Sequence, residues 1–300
     1  HPFYLSGHPA WGDPELHPWT TSYQMSYSTE AVLWGTWMKV NLADKLPVKV
    51  AGLVMDNDFG LAYEMGFESY AEQNPDVVAE YLPVRHDPAA PTLTNEVTTI
   101  AAFDPDVFIS MTAGNPCLLA IQEVEASGLY ERLDAAFTPS VCKGIAAYLA
   151  PAGMAADGYW IVGGGAKDTT DSAKMEEPFI KFARQLITDA GEDPNISLTG
   201  EGVFRGYAFT EAFRIADALP GGMSRTNLML ALRNFKIYHP GLLDGLVTEL
   251  KGNTDAYFVE GSEYSQFDAT NQTWVMVGDV VDANGGTPNC RWDKANGGCR

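Results

Sequence analysis

The chain has 300 residues, 46% of them hydrophobic, enough to bury one large core or two smaller ones. Its 39 acidic against 19 basic side chains give a formal charge of −20, which argues against a nucleic-acid partner and describes a solvated acidic surface. No run approaches the ~18 apolar residues of a membrane span, the longest candidate being broken by Pro151 and Gly153.

The amino end, His1-Pro-Phe-Tyr-Leu-Ser, carries no positively charged leader, so any targeting segment is expected upstream of it. Residues 28–41 read as a helix. From Val48 to Val162 one cadence then repeats: a short apolar run, a turn rich in Gly, Asn, Asp or Pro, and an amphipathic stretch of helical length. Val48–Met55 lacks a helical period and is bounded by Pro47 and by Asp56-Asn57-Asp58, which predicts a strand buried on both faces. Residues 61–73 predict a helix with Leu61, Met65, Phe67 and Tyr70 on its apolar side and Glu64, Glu68 and Glu72 opposite. Residues 77–82 are the next strand. A helix over 91–103 follows, with Thr92 or Thr94 as its cap and Pro105 as its stop. Residues 106–111 restart the pattern as a strand; 112–116 are its turn, and 117–127 a helix ended by Gly128. Ala135–Thr138 and residues 159–162 supply two more strands. Such alternation builds βαβ units with right-handed crossovers, a parallel sheet covered on both faces, and ligand sites at the carboxyl ends of its strands.

Gly163-Gly164-Gly165 lacks the Gly-Lys-Ser/Thr ending of a phosphate loop and reads as a crossover. Beyond it, residues 175–190, 202–219 and 226–235 predict helices, the second burying Phe204, Phe209, Phe213 and Ile215. Residues 257–267 and 273–281 are late strands.

Four cysteines remain to be placed. Cys117 opens a helix after one strand and Cys142 lies just past the next, so both thiols meet at one edge of the sheet; Cys290 and Cys299 enclose a short Gly-rich tail. The expected bridges are Cys117–Cys142 and Cys290–Cys299, out of three possible connectivities, and two bridges imply an oxidising compartment. No Cys-x-x-Cys or matching His spacing supports zinc, and no metal or other cofactor is expected. Enzyme signatures are weak. Gly-x-Ser-x-Gly is absent, His8, His17, His86 and His239 are scattered, three of them before Pro, and Asp56-Asn57-Asp58 lacks the spacing of a calcium loop. Asn195 and Asn271 each open a glycosylation tripeptide, a pattern frequent by chance.

Four stretches carry a resemblance: residues 18–23 (Pro-Trp-Thr-Thr-Ser-Tyr) with the helix after them, 50–60, 94–107, and 204–212. With the order of elements over about residues 1–282, the chain resembles the type I periplasmic binding proteins, in particular the leucine/isoleucine/valine-binding branch of ABC-transporter receptors. The resemblance implies an α/β, two-lobe fold of parallel doubly wound sheets with the first lobe incomplete. Residues 1–27 would be the end of lobe 1 and the hinge, 28–162 lobe 2, 163–282 the return crossover with lobe 1 helices and late strands, and 283–300 a disulfide-closed tail. An accompanying amino-terminal segment, or a partner chain on the open sheet edge, is expected.

The resemblance also implies a ligand set. Ser6, Gly7, His8 and Trp11 stand in the strand-end loop of lobe 1; Phe59, Thr112, Ala113 and Ser140 stand in three strand-end turns of lobe 2, and Tyr207 lies near the hinge. In amino-acid-binding relatives a carboxylate near the Ser140 position receives the ligand ammonium, whereas Pro139-Ser140-Val141 offers only a hydroxyl. With Trp11, Phe59 and Trp19 hinting at an apolar or planar guest, the expected solute is a branched-chain amino acid, an amide or an aromatic acid. The implied protein is a periplasmic or extracellular receptor, free or membrane-anchored through a segment outside this chain, that binds a small molecule, passes it to an ABC permease and catalyses nothing. A sensory or regulatory domain of the same fold is the first alternative, and an enzyme on a doubly wound sheet the second.

Overall fold

A computed structural model describes residues 1–283, 292–293 and 298–299. The chain forms two compact units. Unit 2 comprises residues 27–163 and 263–279; unit 1 comprises residues 1–26, 164–262 and the chain from 280 onward.

Unit 2 is built on one sheet. Strands β1 (Val48–Met55), β2 (Val78–His86), β3 (Val107–Met111), β4 (Ala135–Thr138) and β5 (Trp160–Val162) run parallel, and β6 (Tyr264–Asp268) and β7 (Thr273–Met276) are antiparallel additions, in the order β2-β1-β3-β4-β5-β6-β7. The helices are α1 (Tyr27–Asn41), α2 (Asp58–Gln73), α3 (Thr94–Phe103) and α4 (Asn115–Ala126). The nearly continuous apolar runs of β1 and β3, interrupted only by Lys49 and Ser110, follow from burial on both faces. One core holds Leu53, Val97, Ile100, Phe108, Ile121 and Val124. Trp34, Tyr63, Phe67 and Phe137 are also fully buried.

Two glycines allow α1 and α2 to lie unusually close. A Cβ at Gly66 would stand 2.6 Å from the Cα of Ser28, and one at Gly35 would enter the Tyr70 ring at 2.1 Å. That approach is what sets Glu30 of α1 against Tyr63 of α2.

Unit 1 carries the helices α5 (Pro178–Asp189), α6 (Ser197–Ala218) and α7 (Arg225–Arg233) with extended segments tied by isolated bridges, Ser22 joining Tyr4 on one side and Tyr257 on the other. Its core gathers Phe3, Tyr23, Leu232, Phe235 and Phe258. Among the described residues no helix is long and apolar enough to cross a membrane.

The sequence expectations shift in several places. The cap before α3 is Leu93, without a side-chain bond, and Thr92 instead accepts the Thr94 N–H at 3.1 Å. Glu64 is buried and bonds Arg85 at 2.9 Å, because the inward side of α2 runs through Tyr63, Phe67 and Tyr70. On α6 the buried stripe is Phe204, Ala208, Ala212 and Ala216, a four-residue step that leaves Phe213 43% exposed. The strand expected over 257–267 shortens to β6, with Tyr257 and Val259 making only single bridges. Cys117 and Cys142 are bonded, their Cα atoms 5.7 Å apart. The Cys290–Cys299 pairing lies outside the described residues.

Candidate functional site

The order of strands in unit 2 marks a position before any residue is considered. From β1 the chain moves outward to β2, then returns to β3 on the other side, so the crossovers after β1 and β3 diverge and leave a crevice at the carboxyl ends of these two neighbours. The turn after β1 brings Asn57, which caps α2 by accepting the Phe59 and Gly60 N–H groups at 3.1 and 3.2 Å, and leaves Phe59 half-buried at the edge. After β3 come Thr112 and Ala113, with Gly114 at φ +68° turning the chain into α4. After β4 the chain turns at Pro139 and Ser140 into one turn of 3₁₀ helix. The Cys117–Cys142 bridge ties the last two of these turns together.

Behind Phe59 stands an aromatic wall. Its ring meets Tyr27 edge-on at 4.9 Å and Tyr63 at 5.3 Å, while Tyr63 stacks on Tyr27 at 4.7 Å and on Trp34 at 5.1 Å. The wall encloses a carboxylate. Glu30 is only 1% exposed, and its oxygens accept three hydrogen bonds: the Ser140 N–H at 2.7 Å, the Ser140 hydroxyl at 2.7 Å and the Tyr63 hydroxyl at 2.8 Å. Burial pushes the Glu30 carboxyl up to about 7, the bonds from Ser140 and Tyr63 pulling the other way. The Tyr63 phenol is held well above its usual range, chiefly by burial and then by the nearby Glu30 charge, so it stays a donor. Farther along the sheet Lys143 and Glu263 form a buried ion pair, with Lys143 also donating to the Gly163 carbonyl at 3.3 Å.

In unit 1, the loop of residues 6–12 is anchored rather than loose. His8 accepts the Ala10 N–H at 3.2 Å and caps a 3₁₀ turn, Tyr257 donates to the Pro9 carbonyl at 3.1 Å, and Ser22 donates to the Ser6 carbonyl at 2.8 Å. The Trp11 ring packs against Tyr4 at 4.9 Å and His17 at 5.3 Å.

A family model for periplasmic binding proteins matches residues 3–265. The chain belongs to the periplasmic binding protein family. Solved structures share its fold at low identity. A branched-chain amino acid ABC transporter protein from Thermus thermophilus with bound valine aligns with a TM-score of 0.75 at 17% identity, covering 93% of this chain and 71% of that one. An ABC-transporter solute-binding protein from Rhodopseudomonas palustris in complex with p-hydroxybenzoic acid gives 0.69 at 12%, covering 93% and 70%. A fatty acid ABC transporter substrate-binding protein from Thermomonospora curvata gives 0.68 at 15%, covering 88% and 64%. No match is found among curated proteins.

Against this family background the expected ligand residues separate by what their side chains do. Phe59, Ala113 and Ser140 are half-buried on the carboxyl edge of the unit 2 sheet. Thr112 is on the same edge but fully buried, its hydroxyl bonded to Ser110 at 2.8 Å, so only its backbone faces the turn. Ser6, Gly7, His8 and Trp11 share the anchored loop of unit 1, and Trp19 is 66% exposed. Tyr207 lies on α6, where it lines a groove of about 630 Å³ against Phe182 and Leu186 of α5. The sequence reading missed Glu30, Tyr27 and Tyr63. It took Ser140 to offer a hydroxyl alone; the close approach of α1 to α2 brings a carboxylate to that hydroxyl from 110 residues away.

Proposed function

We propose that this periplasmic binding protein is an extracytoplasmic receptor that captures a small organic solute and delivers it to an ABC permease, with no chemical step. The observation that carries the reading is the family match over residues 3–265. The geometry supports it: three turns leave the same sheet edge at a topological switch, with a half-buried aromatic, backbone groups and one polarised hydroxyl among them. Phe59 would meet the apolar part of the solute, the 112–114 turn would offer backbone donors and acceptors, and Ser140 would meet a polar group.

The solute class follows from these walls: a branched-chain or aromatic amino acid, an amide, or an aromatic acid, the kinds of molecule held by the Thermus and Rhodopseudomonas proteins being valine and p-hydroxybenzoic acid. Thermal unfolding in the presence of L-leucine, L-phenylalanine, benzamide and 4-hydroxybenzoate tests it. Saturable stabilisation of about 3 kcal/mol at a hundredfold excess over Kd, with the solute recovered unchanged, is the expected result. Conversion of a solute to product would replace the receptor by an enzyme.

A further inference from the structure

We propose that Glu30 is a positioning residue that makes Ser140 a hydrogen-bond acceptor toward the solute, so that the group recognised there is an ammonium. This rests on the receptor reading above and narrows its solute class to amino acids.

A serine hydroxyl has one hydrogen, and Ser140 spends it on Glu30 Oε2 at 2.7 Å. What remains on its Oγ is lone pairs. The arrangement is not free to turn over. The Ser140 N–H holds Glu30 Oε1 at 2.7 Å, and the Tyr63 hydroxyl donates to Oε2 at 2.8 Å, so every group facing the carboxylate is a donor and the carboxylate cannot offer a hydrogen while ionised. Each partner is also placed from a different element: Glu30 by α1, Tyr63 by α2, Ser140 by the turn after β4. With Glu30 ionised, as at pH 8, any solute atom that reaches Ser140 Oγ must therefore donate. A carbonyl or carboxylate oxygen would bring its lone pairs against those of Oγ and lie one hydrogen bond from a buried negative charge, whereas an ammonium would satisfy Oγ and be attracted by that charge. The counter-charge absent from residues 139–141 is thus supplied through the hydroxyl.

Replacing Glu30 by Gln supplies a sharp test, because the amide reverses the pattern without changing its shape. With Gln Oε1 accepting the Ser140 N–H, its NH₂ stands where Oε2 stood and donates to both Ser140 Oγ and Tyr63 Oη. The Ser140 hydrogen is released and can point outward.

The experiment measures binding at pH 8 by calorimetry for two matched pairs, L-leucine with 4-methyl-2-oxopentanoate and L-phenylalanine with phenylpyruvate, in which a carbonyl oxygen replaces the ammonium. The wild-type protein is expected to favour the amino member of at least one pair by about tenfold or more, and Glu30→Gln to shift that ratio about tenfold toward the keto member. A role of Glu30 in packing alone would weaken both members together and leave the ratio unmoved. Should Glu30→Gln fail to fold, Ser140→Ala keeps the backbone bond to Glu30 and is expected to erase most of the discrimination. A wild-type preference for the keto acids, an unmoved ratio in folded Glu30→Gln, or unchanged discrimination in Ser140→Ala overturns the proposal. Binding of 4-hydroxybenzoate without either amino acid overturns it while sparing the receptor reading; binding of none of these solutes removes both.

Discussion

Each unit buries a tyrosine hydroxyl against one titratable side chain, and the two centres differ in sign and in what completes them. In unit 1, Tyr23 Oη meets His239 Nε2 at 3.0 Å; the same nitrogen lies 3.0 Å from the Phe204 carbonyl, and His239 Nδ1 accepts the Gly241 N–H at 3.1 Å. With Nδ1 accepting, Nε2 carries the hydrogen, and burial holds the imidazole neutral with its pKa lowered to about 4. In unit 2, Tyr63 meets Glu30, whose carboxyl burial pushes up to about 7. Every hydrogen-bond partner of His239 is itself buried, although its ring meets the half-buried Tyr207 at 5.1 Å, whereas the hydrogen bonds of Glu30 end on the half-buried Ser140 at the sheet edge. A closed centre can only hold its unit together. One that ends on a half-buried hydroxyl at a sheet edge can pass its polarity to a bound molecule.

The comparison breaks or stands first on pH. Glu30 binds its proton more tightly folded than unfolded, so its contribution is whole below about 4.5, falls as pH rises, and is lost above about 7. His239 binds its proton less tightly folded, so its contribution is whole above about 6.5 and lost as pH falls toward about 4. Each amounts to something on the order of 3 kcal/mol, and between pH 4.5 and 6.5 the two slopes oppose each other. Urea unfolding of Glu30→Gln is therefore expected to show stability rising more steeply with pH than in the wild-type protein, and His239→Gln to show it falling. If the two variants have parallel profiles, the contrast between the centres is wrong.

Smaller effects sharpen it. Gly66→Ala sets a methyl group against the Ser28 backbone and separates α1 from α2, with an expected loss of about 2 kcal/mol and a weaker bond between Tyr63 and Glu30. Tyr63→Phe deprives a buried carboxylate of a donor and should cost about 2 kcal/mol at pH 8, less at pH 5 where Glu30 is protonated. Tyr23→Phe removes one bond to a neutral ring and should cost about 1 kcal/mol at both. Chemical denaturation of the three variants at the two pH values checks these values and their order.

What the chain announces and what it conceals follow from the same physics. The strands β1, β3 and β4 are legible because burial on both faces forces nearly continuous apolar runs, and their turns because Asn57, Gly114 and Pro139 punctuate them. Phe59, Ala113 and Ser140 could be assigned to one edge on that basis. Glu30 could not, since a lone acid in the first turn of a helix ordinarily complements the helix dipole. A signal was present: Tyr27, Glu30, Trp34 and Trp37 follow one another at helical spacing, so the acid stands in the apolar stripe, and an acid there needs buried donors. Which donors is not local information, because Ser140 is 110 residues away. On α6 the sequence pointed to Phe204, Phe209, Phe213 and Ile215; Phe204 is buried and Phe209 and Ile215 pack half-buried on the core, but Ala208, Ala212 and Ala216 complete the buried stripe and Phe213 turns outward.

The finest discrimination between the units uses two phenylalanines that both look like ligand walls. Phe59 stands at the unit 2 edge against Tyr27 and Tyr63, while Phe182 lines the unit 1 groove, 54% exposed and 5.8 Å from Phe179. Phe59→Ala should cost about 1 kcal/mol through the lost aromatic pairs, and Phe182→Ala less than about 0.5 kcal/mol because most of its ring already lies in water. In a solute titration the first variant is expected to weaken binding about tenfold by stripping the apolar wall beside Ser140, the second to leave affinity unchanged. The reverse result would move the recognition site to the groove beside Tyr207 and reduce the Glu30 centre to a structural counterpart of His239.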